Sequence, residues 1–235
     1  MYYMKKLIIV IALLVLVFVD GTCQVYDKKY KEEHYISYFS TIYRQPVVVA
    51  YKVYKSGGVG KKGCPTNCDR KGTSFKGDEF TASAKDYKET KDPLTKEAKY
   101  DIGHMLNSYS EAYDCKYQKA TFKFYNAVPQ LPSLNRGSWH KFENQIIDLS
   151  QTDSLLVICF NVFSNKKLNN SQCYIPDYCI KIVKSLKTNR IVYTLKFSNM
   201  EKIDAPLVST YQMLNAEYNF TIVDKILNTN KIDIE

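Results

Sequence analysis

An imidazole, an amide and a carboxylate in the middle of the chain are the residue types that could do chemistry. His104 lies in the stretch DIGHM and is one of three histidines in the 235-residue sequence. Asn135 and Glu143 follow in the stretch LNRGSWHKFE. A neutral histidine, with an ordinary pKa of about 6.5, can take a proton from water near neutral pH. A single histidine after a strand is more often structural, so the interpretation of His104 depends on its partners.

The elements predicted around these residues would bring the three side chains together. His104 ends one predicted strand, and Asn126 ends a second in the stretch 119–130. Asn135 begins a predicted helix that carries Glu143, and eight residues at about 100° each return to within about 80° of the start. The two side chains can therefore face the same side. The helix, residues 134–149, has an apolar stripe at three- and four-residue spacing that would hold it to the core: Trp139, Phe142, Ile146 and Leu149.

The remaining pattern predicts an α+β fold with a mostly antiparallel central sheet flanked by helices. Strands and helices are interspersed without the alternation that βαβ units require. Alternating β-branched and aromatic residues predict strands, and a C-terminal stretch predicts a helix. The predicted elements are two strands in 34–55, a central strand in 153–163, a hairpin of 179–186 with 190–197, and a helix in 206–218.

The first 23 residues are predicted to be a signal peptide. Basic residues precede an uninterrupted apolar run from Leu7 to Val19, and small residues follow it. The run is shorter than the roughly 20 apolar residues of a membrane-spanning helix, which disfavours a membrane anchor. We therefore expect a secreted protein without stable membrane association after cleavage. Its single domain would cover residues 24–235, although cleavage one or two residues earlier fits as well.

The cysteines predict disulfide bonds in an exported chain. The sequence has seven cysteines, and cleavage after Cys23 leaves an even number. CPTNC at 64–68 and CYIPDYC at 173–179 suggest two local bridges, which would leave Cys115 to pair with Cys159. Six cysteines allow 15 connectivities, and the sequence does not choose among them. Zinc is disfavoured at CPTNC because no second ligand pair lies at a suitable spacing.

The charge balance favours a polyanionic partner. The formal net charge is +9 at pH 7, which suits nucleic acid, a glycosaminoglycan or an anionic membrane. Most of the 33 basic residues are lysines, however, and a lysine-rich surface can serve solubility alone. The basic character is therefore consistent with a nucleic-acid partner without selecting it.

DIGHM, followed by FYNAVPQLPSLNRGSWHKFE, resembles the DNA/RNA non-specific endonucleases, which are metal-dependent nucleases with a ββα-metal site. The family pattern is an Asp-Arg-Gly-His box, a strand ending in Asn, Pro-Gln, and Leu-Asn-x-Gly-x-Trp-x-x-Leu-Glu at the start of a helix. The resemblance extends more weakly over residues 34–225. The second half of the pattern matches at Asn126, Pro129, Gln130, Leu134, Asn135, Gly137, Trp139 and Glu143.

The resemblance implies a role for each matched polar residue. His104 would be the general base, and Asn135 the direct protein ligand of a hydrated Mg²⁺ ion, for which Mn²⁺ could substitute. Glu143 would hold a metal-bound water. Asp101 and Asn126 would position the histidine loop. The implied substrate is DNA, RNA or both, cleaved with little sequence preference because no base-reading motif is visible.

Ile102 departs from the family pattern, which has an arginine that contacts the substrate phosphate. Arg136 and Arg70 are the candidate substitutes in this sequence. A lost charge-assisted hydrogen bond costs about 1.5–3 kcal/mol, which predicts a slower or more selective enzyme. Two alternatives remain open: a nuclease-fold protein that binds nucleic acid without cutting it, and an extracellular protein that binds another polyanion. The sequence leaves the oligomeric state undetermined.

Overall fold

A seven-stranded antiparallel sheet forms the centre of the computed structural model, which describes residues 25–54, 73–169, 171–200 and 205–233. Its strand order is β1-β2-β3-β6-β7-β8-β9, and every neighbouring pair is antiparallel. A separate antiparallel pair is formed by β4 and β5. The strands are β1 Lys28–Lys31, β2 Tyr35–Ser40, β3 Gln45–Val53, β4 Asp101–His104, β5 Ala127–Gln130, β6 Leu155–Lys167, β7 Tyr174–Ser185, β8 Ile191–Ser198 and β9 Leu207–Val208.

Helices cover both faces of the sheet, which confirms the predicted α+β class. The described α-helices are α1 Ala84–Glu89, α2 Cys115–Ala120, α3 His140–Ser150, α4 Tyr211–Tyr218 and α5 Thr221–Thr229. Phe197 of β8 contacts Trp139, directly before α3, with ring centroids 5.1 Å apart. Phe160 of β6 contacts Phe220, directly before α5, at 4.7 Å. No helix in the described ranges is both long and apolar enough to cross a membrane.

The central strands are apolar along most of their length because both of their faces are covered. In β6, the nine residues from Leu155 to Phe163 are all buried. The predicted hairpin is present as β7 and β8, and the predicted strands in 34–55 are present as β2 and β3. Helix α3 packs with Phe142 and Ile146 buried, as the apolar stripe predicted.

Two predicted elements differ from the structure. Only the last four residues of the stretch 119–130 form a strand, and the residues before it form α2 and a 3-10 helix, Phe124–Asn126. Asp114 begins α2, since its side chain accepts a hydrogen bond from the backbone N–H of Lys116 at 2.7 Å. Near the C-terminus, α4 begins only after Thr210, whose hydroxyl accepts from a backbone N–H of the first turn. Both capping residues lie outside the strand-like alternation of 119–130, so that pattern alone does not reveal where these helices begin.

The predicted disulfide pairs among the described cysteines are wrong. Cys159, Cys173 and Cys179 are buried free thiols. Cys173 directly precedes β7 and Cys179 lies within it, so an extended backbone separates them by roughly 20 Å, well beyond the reach of a disulfide. Cys115 is disulfide-bonded, but to none of these three. The predicted signal peptide, CPTNC and Arg70 lie outside the described residues.

Candidate active site

A cleft of about 400 Å³ lies between the β4–β5 hairpin and the start of α3. His104, Asn135 and Glu143 all line it, so the structure brings together the three side chains that the sequence singled out. The other lining residues are Phe75, Ile102, Asn107, Ser108, Tyr109, Phe122, Arg136, His140, Asn144 and Ile147.

His104 is held at the end of β4 by both its backbone and its ring. Its carbonyl oxygen accepts a hydrogen bond from Trp139 Nε1 at 3.1 Å, which ties the hairpin to the segment that enters α3. Its imidazole packs against the rings of Phe75 and Phe122, with centroid distances of 4.7 and 4.9 Å, and these two rings also contact each other at 5.3 Å. These apolar neighbours restrict the orientation of the imidazole within the cleft.

Gly103 allows the two strands of the hairpin to approach closely. It pairs with Val128 in the β4–β5 register. A Cβ atom at position 103 would lie 2.0 Å from Oε1 of Gln130 and 2.7 Å from its Cγ. Gln130 is fully buried, so a shift of its side chain would disturb other packed residues. The glycine directly before His104 is therefore a packing requirement of the site.

Asn126 holds the chain immediately after His104 through hydrogen bonds to residues 105 and 106. Its side chain is fully buried. Nδ2 donates to the carbonyl oxygens of Leu106 and Thr121, and Oδ1 accepts from the Leu106 N–H, all at 2.9 Å. The backbone carbonyl of Asn126 accepts from the N–H of Met105 at 2.8 Å. Asn126 acts behind the cleft, since it is not among the lining residues.

A π-helical turn, Leu134–Trp139, places Asn135 at the cleft before α3 begins. Gly137 interrupts the turn with φ of −100° and ψ of −113°, which is not a helical conformation. The continuous helix predicted for 134–149 is thus bent at its start. Asn135 and Glu143 still face the same cleft, although the path between them is not a regular α-helix.

Asp101 fixes the orientation of the Asn135 amide. Asp101 Oδ2 accepts hydrogen bonds from Asn135 Nδ2 at 3.0 Å and from Arg136 Nε at 2.9 Å, and Oδ1 accepts from Arg136 Nη2 at 2.7 Å. A carboxylate accepts and does not donate, so the amide nitrogen faces Asp101 and Asn135 Oδ1 is directed elsewhere. The contacts of Asp101 are thus with the proposed metal ligand and its neighbour rather than with the histidine loop.

Glu143 lies at the inner end of the cleft and is almost completely buried. Its Oε1 is 3.7 Å from Nζ of Lys181, and its Oε2 is 3.8 Å from Nδ1 of His140. The interaction with Glu143 raises the pKa of His140. His140 is exposed and lines the same cleft as Asn135. The three-residue spacing between His140 and Glu143 could have indicated this contact.

The oxygen donors at this cleft fit a hydrated divalent cation. Asn135 offers an amide oxygen, and Glu143 offers a carboxylate, which are the hard ligands that Mg²⁺ and Mn²⁺ prefer. Glu143 Oε1 is buried and makes no hydrogen bond to any described residue. This oxygen faces the buried Lys181, so Oε2, which faces the cleft residue His140, is the oxygen available to a water of a bound cation.

The residue that replaces the family arginine, Ile102, lines the cleft and contributes no charge. Arg136 lines the cleft too, with an exposed side chain, and its bidentate contact with Asp101 raises its pKa further. Phe75, Tyr109 and Phe122 were missed as cleft residues. Because they come from separate loops, no local spacing marks them.

The comparisons with known proteins concern the family and the fold. A family model described as DNA/RNA non-specific endonuclease matches residues 20–226. One chain in the crystal structure of the EndoG/EndoGI complex, which concerns the mechanism of EndoG inhibition, has a similar fold with a TM-score of 0.66 and 19% identity. That match covers 83% of this chain and 85% of the other. No curated protein matches the sequence. The family match over most of its length shows that the chain belongs to the DNA/RNA non-specific endonuclease family.

Proposed function

We propose that the protein is a secreted endonuclease that needs a divalent metal and hydrolyses phosphodiester bonds of DNA, RNA or both. The observation that carries the proposal is the convergence of His104, Asn135 and Glu143 on one cleft. The secreted location rests on the N-terminal apolar run, and the disulfide of Cys115 supports it because disulfides persist in oxidising compartments.

In this proposal His104 is the general base. Its imidazole, restricted by two phenylalanines, takes a proton from the attacking water. Asn135 Oδ1, turned away from Asp101, would hold the cation, and Glu143 would orient a water bound to it. A bound Mg²⁺ ion, or Mn²⁺ in its place, would supply Lewis acidity and neutralise charge on the leaving oxygen.

Arg136 is the proposed phosphate contact in place of the missing arginine at position 102. It binds Asp101 through Nε and Nη2, so its Nη1 group makes neither of these contacts and can donate to a phosphate. Arg70 stays a second candidate from the sequence. Lysines around the molecule would follow the nucleic-acid backbone without reading bases, which supports low sequence preference.

Cleavage of supercoiled plasmid and of a long RNA by the purified protein tests this function. Mg²⁺ or Mn²⁺ should permit cutting and a chelator should stop it. Replacement of the general base, His104→Ala, should slow cutting by about 10²–10⁴-fold. The matched control is His34→Gln, a histidine outside the cleft. Near-normal cutting by His104→Ala, with His34→Gln also active, would exclude His104 as the base.

Ile102 supports a second candidate, a nuclease-fold protein that binds nucleic acid without cutting it. The loss of one phosphate contact could lower activity below a useful rate while leaving binding intact. Electrophoretic mobility shifts measured beside the nicking assay separate the two functions. Retarded but uncut plasmid in the presence of Mg²⁺ and Mn²⁺ would favour this candidate.

A further inference from the structure

Lys181 is a lysine in the interior of the protein, directly below the candidate active site. It lies in β7, opposite Cys159 of β6 and Leu195 of β8, and its side chain is fully buried. Its Nζ makes no hydrogen bond to any described residue. A buried ammonium group is costly unless an opposite charge or a polarisable group lies nearby, so the groups around Lys181 Nζ decide what this residue does.

Glu143 is the anion that faces this ammonium group. The distance between Lys181 Nζ and Glu143 Oε1 is 3.7 Å, which is too long for a direct hydrogen bond and short enough for strong attraction in a low-dielectric interior. The thiols of Cys159 and Cys179 also lie near Lys181, but burial raises the pKa of each to about 12, so both are neutral.

Trp139 completes the surroundings of the ammonium group. Lys181 Nζ lies 3.8 Å from the centre of the Trp139 ring, a favourable cation–π distance. The same indole donates its N–H to the carbonyl oxygen of His104. Lys181 is thus in contact with the two side chains, Trp139 and Glu143, that connect the sheet to the cleft.

We propose that Lys181 is a positioning residue for Glu143 in the hydrolytic reaction. Its buried charge attracts Oε1 towards the sheet, which turns Oε2 towards the cleft and keeps the carboxylate in one rotamer. A carboxylate held in this way can orient a water of the cation's hydration shell in a constant geometry. This inference rests on the proposed nuclease function, but it concerns a residue on β7 to which the resemblance assigned no role.

Lys184, on the same strand, provides a matched control. It is also buried, but it points to the opposite face of the sheet. Its Nζ donates to the carbonyl oxygen of Leu227 at 2.6 Å and to Oδ1 of Asn230 at 2.9 Å, at the end of α5. Lys184 therefore holds a helix terminus and does not contact the cleft.

The test compares four variants of the full chain: Lys181→Met, Lys184→Met, Glu143→Gln and the double variant Glu143→Gln/Lys181→Met. Plasmid nicking gives kcat and KM, Mn²⁺ titration followed by electron paramagnetic resonance gives the metal Kd, and thermal melting gives Tm. We expect Lys181→Met to lower kcat and weaken Mn²⁺ binding by about 10–100-fold, with KM nearly unchanged. Lys184→Met should lower Tm while leaving kcat and Mn²⁺ binding intact.

The double variant shows whether Lys181 acts through Glu143. It should be no slower than Glu143→Gln, and its Tm should recover relative to Lys181→Met because no unpaired buried charge remains. Additive losses of kcat would overturn the proposal, as would a Lys181→Met protein that nicks and binds Mn²⁺ like the wild type. If Lys181→Met does not fold, Lys181→Gln carries the same expectations.

The metal measurement separates this inference from the proposed function. A wild-type protein that binds Mn²⁺ but never nicks would contradict nuclease activity. Weaker Mn²⁺ binding in Lys181→Met would then still support the positioning of Glu143 by Lys181, and unchanged binding would overturn it.

Discussion

Asp101 Oδ2 accepts a hydrogen bond from Asn135 Nδ2 at 3.0 Å, across the gap between β4 and the π-helical turn. This contact determines which end of the amide can face a cation. Arg136 binds the same carboxylate through two nitrogens. Asp101 therefore pairs with the charge of Arg136 and orients the Asn135 amide at the same time. The first residue of the DIGH stretch thus orients the proposed metal ligand, Asn135.

Removal of this carboxylate should weaken cation binding. In Asp101→Ala the Asn135 amide is free to rotate, and its oxygen is no longer directed to one side. We expect the Kd for Mn²⁺, measured by electron paramagnetic resonance, to rise about 10–100-fold. Asp233→Ala, which removes a surface partner of Lys29, is the control and should bind normally. Unaltered Mn²⁺ binding in Asp101→Ala would show that Asp101 does not orient the amide.

Gly103→Ala should destabilise the protein and slow the reaction. The added methyl group would overlap the buried side chain of Gln130, and overpacking of this kind costs about 1–3 kcal/mol. Chemical denaturation measures the free energy of unfolding, and the nicking assay reports the effect on His104. The double variant Gly103→Ala/Gln130→Ala should recover part of the loss in activity. If Gly103→Ala alone matched the wild type in both assays, the close approach of Gly103 to Gln130 would matter neither for stability nor for activity.

Ile102→Arg should strengthen the interaction with the substrate phosphate. A new charge-assisted hydrogen bond of about 1.5–3 kcal/mol corresponds to roughly a 10- to 100-fold gain in kcat/KM. The slope of the logarithm of the binding constant against the logarithm of the salt concentration should steepen by about one, as expected for one more phosphate contact. Ile102→Gln, which adds polarity without charge, is the control. A variant that is no faster and no more sensitive to salt would indicate that Arg136 already supplies this contact.

Glu111→Gln should remove a pH dependence of stability. Burial raises the pKa of Glu111 from 4.5 to about 7, while its Oε2 lies 2.8 Å from His34 Nδ1. The folded state therefore retains a proton that the unfolded state releases, and stability falls as the pH rises from about 4.5 to 7. Across this pH range the free energy of unfolding falls by about 3 kcal/mol.

Denaturation of the wild type and of Glu111→Gln at several pH values in that range gives the free energy of unfolding as a function of pH. The slope of that dependence contains the contribution of Glu111 in the wild type only. Burial also lowers the pKa of His34, which contributes with the opposite sign in both proteins. The difference between the two slopes is therefore the quantity to compare. Parallel slopes would mean that Glu111 releases its proton near its ordinary pKa.

Glu143→Gln should lower the pKa of His140. The carboxylate raises that pKa in the folded protein, and an amide lacks the charge needed for the effect. The imidazole resonances of His140, followed by NMR through a pH titration, report the change directly. His34 lies outside the cleft and serves as the internal control. A His140 titration that stays unchanged would place Glu143 further from it in solution.

The sequence predicted the parts of the site that depend on short-range pattern. The resemblance of DIGHM and FYNAVPQLPSLNRGSWHKFE to the family pattern singled out His104, Asn135 and Glu143, because two short stretches of the chain carry all three. The apolar stripe of α3 was equally local, and its residues are buried. The failures were local as well. Capping by Asp114 outweighed the strand-like alternation in 119–130.

By itself, the sequence determined the family, the α+β class and the identity of the candidate base, metal ligand and water-orienting carboxylate. The tertiary structure decided what surrounds them. Only the packing of β7 below α3 places Lys181 beside Glu143, and only the extended form of β7 keeps Cys173 and Cys179 apart as free thiols. The first of these relationships joins residues that are distant in the chain, and the second depends on the extended shape of a whole strand. Spacing therefore cannot reveal them, because the energy of a buried charge or thiol depends on its three-dimensional neighbours.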